Sequence, residues 1–496
     1  MALAAPTTMS FQQALKSLSE GATGLLDQIT WKGLLLFSSG GLLCKLLWKQ
    51  YGILCCRNRP YTALGWPIYG YTAWVNRHTM ERMPDSFVTP RPAALLTNIC
   101  YTNVAMIDYS VYMEKLHQRH VDGDFKPEFT PSFRGCLGEE SIMCQPGGKV
   151  HTHHKKLRNK LLSSLAPKPC LSVVPELTAE IRATLDHLVE ETAKNGSVAF
   201  QPVGGHLAAK ISQLQILSAL EPELQKEVEH HTQVMILGLF EPVVDLGRFN
   251  NYGRAMASKK ALQEIVKTML KNPVTDKRNV LADLAKSNED GEAFTEEESL
   301  DTIVTLLVAG KLTTGDALPN LFVHLCEHRE WVEKIAQEPL DFKSIECEST
   351  TLKFVMESLR ADPVVTTYRR SCAEPVDLGE HGVIPANCQM AIQFRSELLE
   401  MDDKFDPLRW TPEQILGVGW LPFGGHQPHS CVGRNLALLE LQLFARILCR
   451  EYNFEALETE KAVHPQKNFS PVWKDGLPVK VTKKSTEHSL SRLGGA

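Results

Sequence analysis

The sequence predicts one large, mainly α-helical domain (α+β) with a small β-rich region. From Leu171 to Lys286 it reads as helix after helix, with breaks near Gly196, Gly204-Gly205 and Pro273. A long helix then opens at Thr295, which forms a capping box with Glu298. From Leu300 to Ala317 its first turns are apolar nearly all round, as in a helix buried mid-domain. Finally, a Gly- and Pro-rich loop, Pro422-Phe423-Gly424-Gly425-His426-Gln427-Pro428-His429-Ser430-Cys431-Val432-Gly433-Arg434, delivers one cysteine to another helix start. That helix shows in Leu436, Leu439, Leu443 and Ile447, spaced by three and four.

A chain of 496 residues can bury a large core. A net charge of −5 leaves no basic footprint for nucleic acid. The 13 cysteines show no CxxC pairs, only the adjacent Cys55-Cys56, which argues against a disulfide framework or zinc ribbon and for a reducing compartment.

Residues 1–57 read as a membrane anchor or targeting segment. The uncharged run from Gly33 to Cys44 is too short to cross a bilayer at about 1.5 Å per residue. With Lys45 snorkelling, the span extends through Ile53-Leu54-Cys55-Cys56. Trp31 and Trp48 sit where interfacial aromatics would, and Lys45, Lys49, Arg57 and Arg59 would keep the downstream chain in the cytoplasm. A plastid-targeting or interfacial segment is the alternative. Arg59 to Gly70 is a turn-rich hinge, and residues 84–150 mix short strands and loops. Asp122-Gly123-Asp124 is a turn lacking the remaining ligands of a calcium loop.

His151-Thr152-His153-His154 opens a basic helix, with no acidic or cysteine partner nearby for a metal. His154 and Arg158 share one helix face. In the long helix, Gly310 is costly unless something approaches the backbone. The Thr313 and Thr314 hydroxyls can bond preceding carbonyls and open a groove for oxygen and water. Cys431 meets the amide donors and positive dipole end of its helix, which favour a thiolate, and Gly433 leaves room beside the sulfur. Glu357 and Arg360 alone would be an ordinary ion pair worth about 0.3 kcal/mol.

Together these motifs resemble the cytochrome P-450 family, the haem-thiolate monooxygenases, over about residues 60 to 480. The loop resembles the pattern Phe-x-x-Gly-x-Arg-x-Cys-x-Gly, with Phe423 eight residues before Cys431 rather than seven. Gln427 stands at the glycine place, and His429 at that of an arginine that meets a haem propionate. The resemblance implies haem b (iron protoporphyrin IX) between the threonine helix and the cysteine-capped helix, with Cys431 as axial metal ligand. His154, Arg158, and Arg369 or Arg370 would contact the haem. Glu357, Arg360 and Arg409 would brace the cysteine loop. Ala309, Gly310, Thr313 and Thr314 match the oxygen-activation motif, with Thr313 as the proton-relay candidate; Leu312 replaces its usual acid.

The function implied is insertion of one oxygen atom of O2 into a small apolar lipid, sterol or terpenoid-like substrate. Electrons would come from an NADPH-cytochrome reductase, docking near Lys155, Lys156 and Lys160, or from a ferredoxin in a plastid. Leu312 and the lengthened loop motivate one alternative, a haem-thiolate isomerase or dehydratase of a hydroperoxide needing no reductase; a catalytically silent haem protein that binds a sterol or lipid is the other. The expected organisation is an anchor at 1–57, a catalytic domain at 58–484 and a disordered tail at 485–496. The expected location is the endoplasmic reticulum membrane with the domain in the cytosol.

Overall fold

Helix-on-helix packing organises the chain. The computed structural model describes residues 41, 44–45, 47–48, 51–56, 58–64, 92–99, 102–274, 279–289, 294–345, 348–393, 404–411, 413–414, 421–425, 427–462 and 472–484. Most of the expected anchor, part of the hinge and the tail from residue 485 lie outside these. Among the described residues no helix is long and apolar enough to cross a membrane.

A six-stranded sheet contains β1 (Tyr61–Thr62), β2 (Ala94–Ile99), β3 (Thr102–Asp108), β4 (Lys126–Pro127), β6 (Thr367–Ser371) and β7 (Gln389–Gln393), in the order β1-β2-β3-β7-β6-β4. A smaller sheet pairs β5 (Val198–Ala199) with β9 (Pro478–Lys483) and β9 with β8 (Tyr452–Ala456). Where loops were expected up to residue 150, a π-helical turn at Tyr112–Leu116 leads into α1 (His117–Asp122), and α2 (Pro131–Leu137) follows. Thr130 caps α2 and a proline begins it, a start signal absent from a reading for short strands. Gly123 turns the chain at φ 109°, and Asp122 and Asp124 answer Lys149 and Arg119.

The helical body comprises α3 (Thr152–Ser164), α4 (Pro167–Leu171), α5 (Val174–Asn195), α6 (Phe200–Leu217), α7 (Pro222–Gly238), α8 (Asn251–Lys271), α9 (Val280–Glu289), α10 (Glu296–Glu327), α11 (Val332–Ala336), α12 (Thr350–Ala361) and α13 (Arg434–Glu451). Gly196 and Pro273 end helices as expected, but Gly204-Gly205 does not. Those glycines lie inside α6, where α10 crosses so closely that a Cβ on Gly315 would sit 3.0 Å from the Gly205 Cα.

Helix α10 has 32 residues, and both halves of the Thr295–Glu298 capping box are made. It is buried almost continuously from Glu298 to Leu325, with Pro319 inside it. Its C-terminal half shares one core with α5, α6, α12 and α13, through residues such as Phe200, Phe322 and Phe444. The N-terminal half shares another with α2, α3, α7, α8 and α9. The long helix thus joins the two cores, and α13 packs against it.

Candidate active site

The cysteine loop is closed by the Cys431 amide, which donates to the Phe423 carbonyl at 2.9 Å. Gly424 and Gly425 follow Phe423 at φ 92° and 60°, two successive left-handed residues that turn the chain. Phe423 is half-buried against the α13 core. Gly433 adopts φ −87°, open to any residue, and a Cβ there would come no closer to the polypeptide than 3.9 Å from the Cys431 sulfur. The room beside the sulfur is therefore not demanded by the chain's own packing.

Cys431 is solvent-accessible, yet protein packs closely around it. Burial pushes its thiol up, against the Gly433 and Arg434 amides at the sulfur and the Arg434 and Arg158 charges. The amides at the helix start favour the thiolate, as expected, and desolvation outweighs them in the metal-free chain. A coordinating metal removes the thiol proton outright.

Around the loop the chain gathers cations without acids. On α3, Arg158 Nη2 donates to Ser430 Oγ at 2.6 Å, while its buried Nε has no partner. On β6, Arg370 is buried and donates to Gln427 Oε1 at 2.7 Å, His120 Nε2 at 3.1 Å and the Arg369 carbonyl at 2.7 Å. Neither guanidinium has a carboxylate partner among the described residues, and burial lowers both pKa values, that of Arg370 to about 10. Arg369 alternates to the other face of the strand, near Glu128. Of the two candidates, Arg370 belongs to the loop.

His429 donates from Nε2 to the Gln145 carbonyl at 2.9 Å, and its buried Nδ1 has no partner. Burial, then Arg370 and His154, hold its pKa well below the usual range. As a neutral ring it offers Nδ1 as an acceptor, so the arginines are better suited to carboxylates. His154 is buried, packs 4.7 Å from the His429 ring and donates to the Ile142 carbonyl at 3.2 Å. The three histidines of the α3 start diverge, with His151 at the Gly123 carbonyl and His153 at Glu298. No metal-holding cluster of His, Cys, Asp or Glu occurs among the described residues.

This donor set fits haem. The sulfur suits iron, and a half-buried and a buried guanidinium without acids among the described residues call for an anionic guest, as a porphyrin bearing two carboxylates would be.

Behind the loop, Glu357 is fully buried and accepts Arg360 Nε at 2.9 Å, Arg360 Nη2 at 2.8 Å and Arg409 Nε at 3.1 Å. It also takes the Asp406 amide at 2.8 Å and the Trp410 indole at 3.1 Å. The structure thus brings the three motif residues together. Trp410 is a further member that spacing did not single out, although it directly follows Arg409.

On α10, Thr313 Oγ1 donates to the Ala309 carbonyl at 2.9 Å, and Thr314 is buried. The helix runs through both, and the Thr313 hydroxyl bonds the carbonyl four residues back, as expected of it. A Cβ on Gly310 would fall 2.2 Å from the Ser212 hydroxyl, so the group that needs this glycine is on α6. Leu312 is buried in the N-terminal core. Its neighbour Lys311 pairs with Glu229 at 3.0 Å, and Glu229 with His206 at 2.6 Å.

The profile of the cytochrome P-450 family matches residues 60–477. The chain belongs to the cytochrome P-450 family. As a P-450 it is a monooxygenase of the haem-iron class, working with a redox partner on a small substrate. Among curated relatives, it is 24% identical over 433 residues to ent-kaurenoic acid oxidase 1 of Arabidopsis thaliana, covering 80% of this chain and 86% of the relative. It is also 24% identical over 408 residues to abscisic acid 8'-hydroxylase 2 of Oryza sativa subsp. indica, covering 74% and 75%. The fold of this P-450 is similar to that of retinoic acid-bound cyanobacterial CYP120A1, with a TM-score of 0.70 and 22% identity over 86% of this chain and 100% of the other.

Proposed function

We propose that this P-450 inserts one oxygen atom of O2 into a small apolar, terpenoid- or lipid-like substrate, using electrons from an NADPH-dependent reductase. The carrying observation is an accessible cysteine beside a half-buried Arg158 and a buried Arg370, neither of which has an acidic partner among the described residues. The terpenoid class is supported by relatives named for ent-kaurenoic and abscisic acids.

Haem b, when bound, supplies the oxygen chemistry, and the protein supplies placement and electronic tuning. Cys431 would hold the iron, and Arg158 and Arg370 the porphyrin carboxylates. His154, His429 and Phe423 would pack beside it, with Arg369 in a lesser role. Glu357, Arg360 and Arg409 keep the loop backing rigid. Thr313 holds a proton at Oγ1, now donated to the Ala309 carbonyl, and its lone pairs can accept from water; Thr314 supports it.

The reductase would dock at α3, where Lys155 and Lys156 are exposed and Lys160 half-buried. Residues 1–57 would anchor a catalytic domain at 58–484, with a tail at 485–496. The endoplasmic reticulum is the proposed site, with a plastid and ferredoxin as the alternative.

Dithionite-reduced, carbon monoxide-bound protein should show a thiolate-type spectrum that Cys431→Ser abolishes. A terpenoid and lipid panel, run with and without reductase, then tests turnover. Product formed with neither reductant nor O2 overturns the reading. A hydroperoxide consumed without reductase would instead favour the isomerase alternative, which rests on Leu312 in place of an acid.

A further inference from the structure

Arg370 is the buried cation best placed beside the loop, yet its backbone does not aim it. An arginine donates and never accepts. Its Nε–H bond to His120 at 3.1 Å therefore fixes His120 Nε2 as the unprotonated nitrogen. The neutral ring then carries its proton on Nδ1 and donates it to the Tyr112 hydroxyl at 2.8 Å. His120 is fully buried, with Phe125 at 5.8 Å and the His429 ring stacked at 6.2 Å. Burial, then the Arg370 charge, keeps it neutral. A one-way chain of donors thus runs from Arg370 through His120 to Tyr112. Gln427 and the Arg369 carbonyl take two more N–H groups, so two of the five have no partner among the described residues and face no competitor there for a guest.

We propose that His120, held in one tautomer by the Arg370 N–H and braced through Nδ1 by Tyr112, is a positioning residue that aims Arg370 at a carboxylate of the bound haem. This rests on the haem-thiolate reading above. Gln427 serves the same end from the loop. Its departure from the family glycine provides a bond to Arg370 that glycine could not make.

The test uses the full-length holoprotein and three variants, His120→Leu, His120→Gln and Tyr112→Phe. Readouts are the rate of haem transfer to excess apomyoglobin, the midpoint potential and the reduced carbonyl spectrum. His120→Leu, which removes the acceptor, should lose haem about tenfold faster, the scale of one lost charge-assisted hydrogen bond. Tyr112→Phe should fall between it and wild type. His120→Gln, which can present an oxygen to Arg370, should recover to within about twofold. The midpoint potential should shift in His120→Leu, while the thiolate-type spectrum stays unchanged in all three.

Wild-type haem retention and potential in His120→Leu would overturn the inference. So would equal losses in His120→Leu and His120→Gln, which would indicate packing alone. If His120→Leu does not fold, Tyr112→Phe decides, since it deletes one oxygen: faster loss supports the chain and a wild-type rate refutes it. Absence of a thiolate-type spectrum in wild type would instead overturn the haem-thiolate reading itself.

Discussion

Glu357→Gln is the sharpest perturbation of the scaffold behind the cysteine loop. The carboxylate is fully buried and receives at least five hydrogen bonds, three from the guanidinium groups of Arg360 and Arg409. Glutamine keeps the volume, but it removes the charge facing two arginines and turns an acceptor into a donor aimed at donors. Breaking a buried pair by removing one partner costs about 3–5 kcal/mol. Unfolding entropy of about 2.1 cal/mol/K per residue over the roughly 420 matched residues gives about 0.9 kcal/mol/K. The apparent midpoint should therefore fall by about 3–6 °C in differential scanning fluorimetry at one fixed scan rate. Trp410→Phe removes a single donor and should cost only about 1 kcal/mol, or about 1 °C. A Glu357→Gln midpoint equal to wild type, or no larger a shift than in Trp410→Phe, would refute the reasoning.

Thr313→Val keeps the shape and removes the hydroxyl, so product per NADPH should fall and peroxide release rise, both measurable in one coupled assay. Glu440 on α13 is fully enclosed, with Oε1 unpartnered, and burial raises its pKa to about 8. Its contribution to stability is fully present below the unfolded value near 4.5 and is lost as pH rises toward 8. Glu440→Gln should therefore be the more stable protein at pH 8, by on the order of 3–5 kcal/mol, and should show less loss between pH 5 and 8 in thermal melts. Glu229→Gln leaves the buried Lys311 ammonium unpaired and should lower the melting midpoint by about 3–5 °C, and adding Lys311→Met should restore most of it.

Where residues answer to their own neighbours in the chain, the sequence was readable. The α10 capping box spans four residues, and the helical period of α13 shows without reference to anything else. The Glu357, Arg360 and Arg409 assembly was legible only through resemblance, because nothing local says that a carboxylate will meet an arginine 52 positions on. Long-range burial escaped. Desolvation of the Cys431 thiol, the choice of Arg370 over Arg369, and His120 beside Arg370 all depend on strands and helices far apart in the chain. The Gly204-Gly205 pair was read as a break because glycine weakens isolated helices, whereas close contact with α10 compensates here.

That contact between α6 and α10 constrains how the molecule can breathe. Ser212 fills the notch at Gly310, and Gly205 abuts Gly315, so the two rods are keyed at two heights and cannot slide past one another without a clash. Enlarging residue 310 would act as a wedge between the rods, and any activity lost that way would report mechanical misfit rather than a failure to handle oxygen.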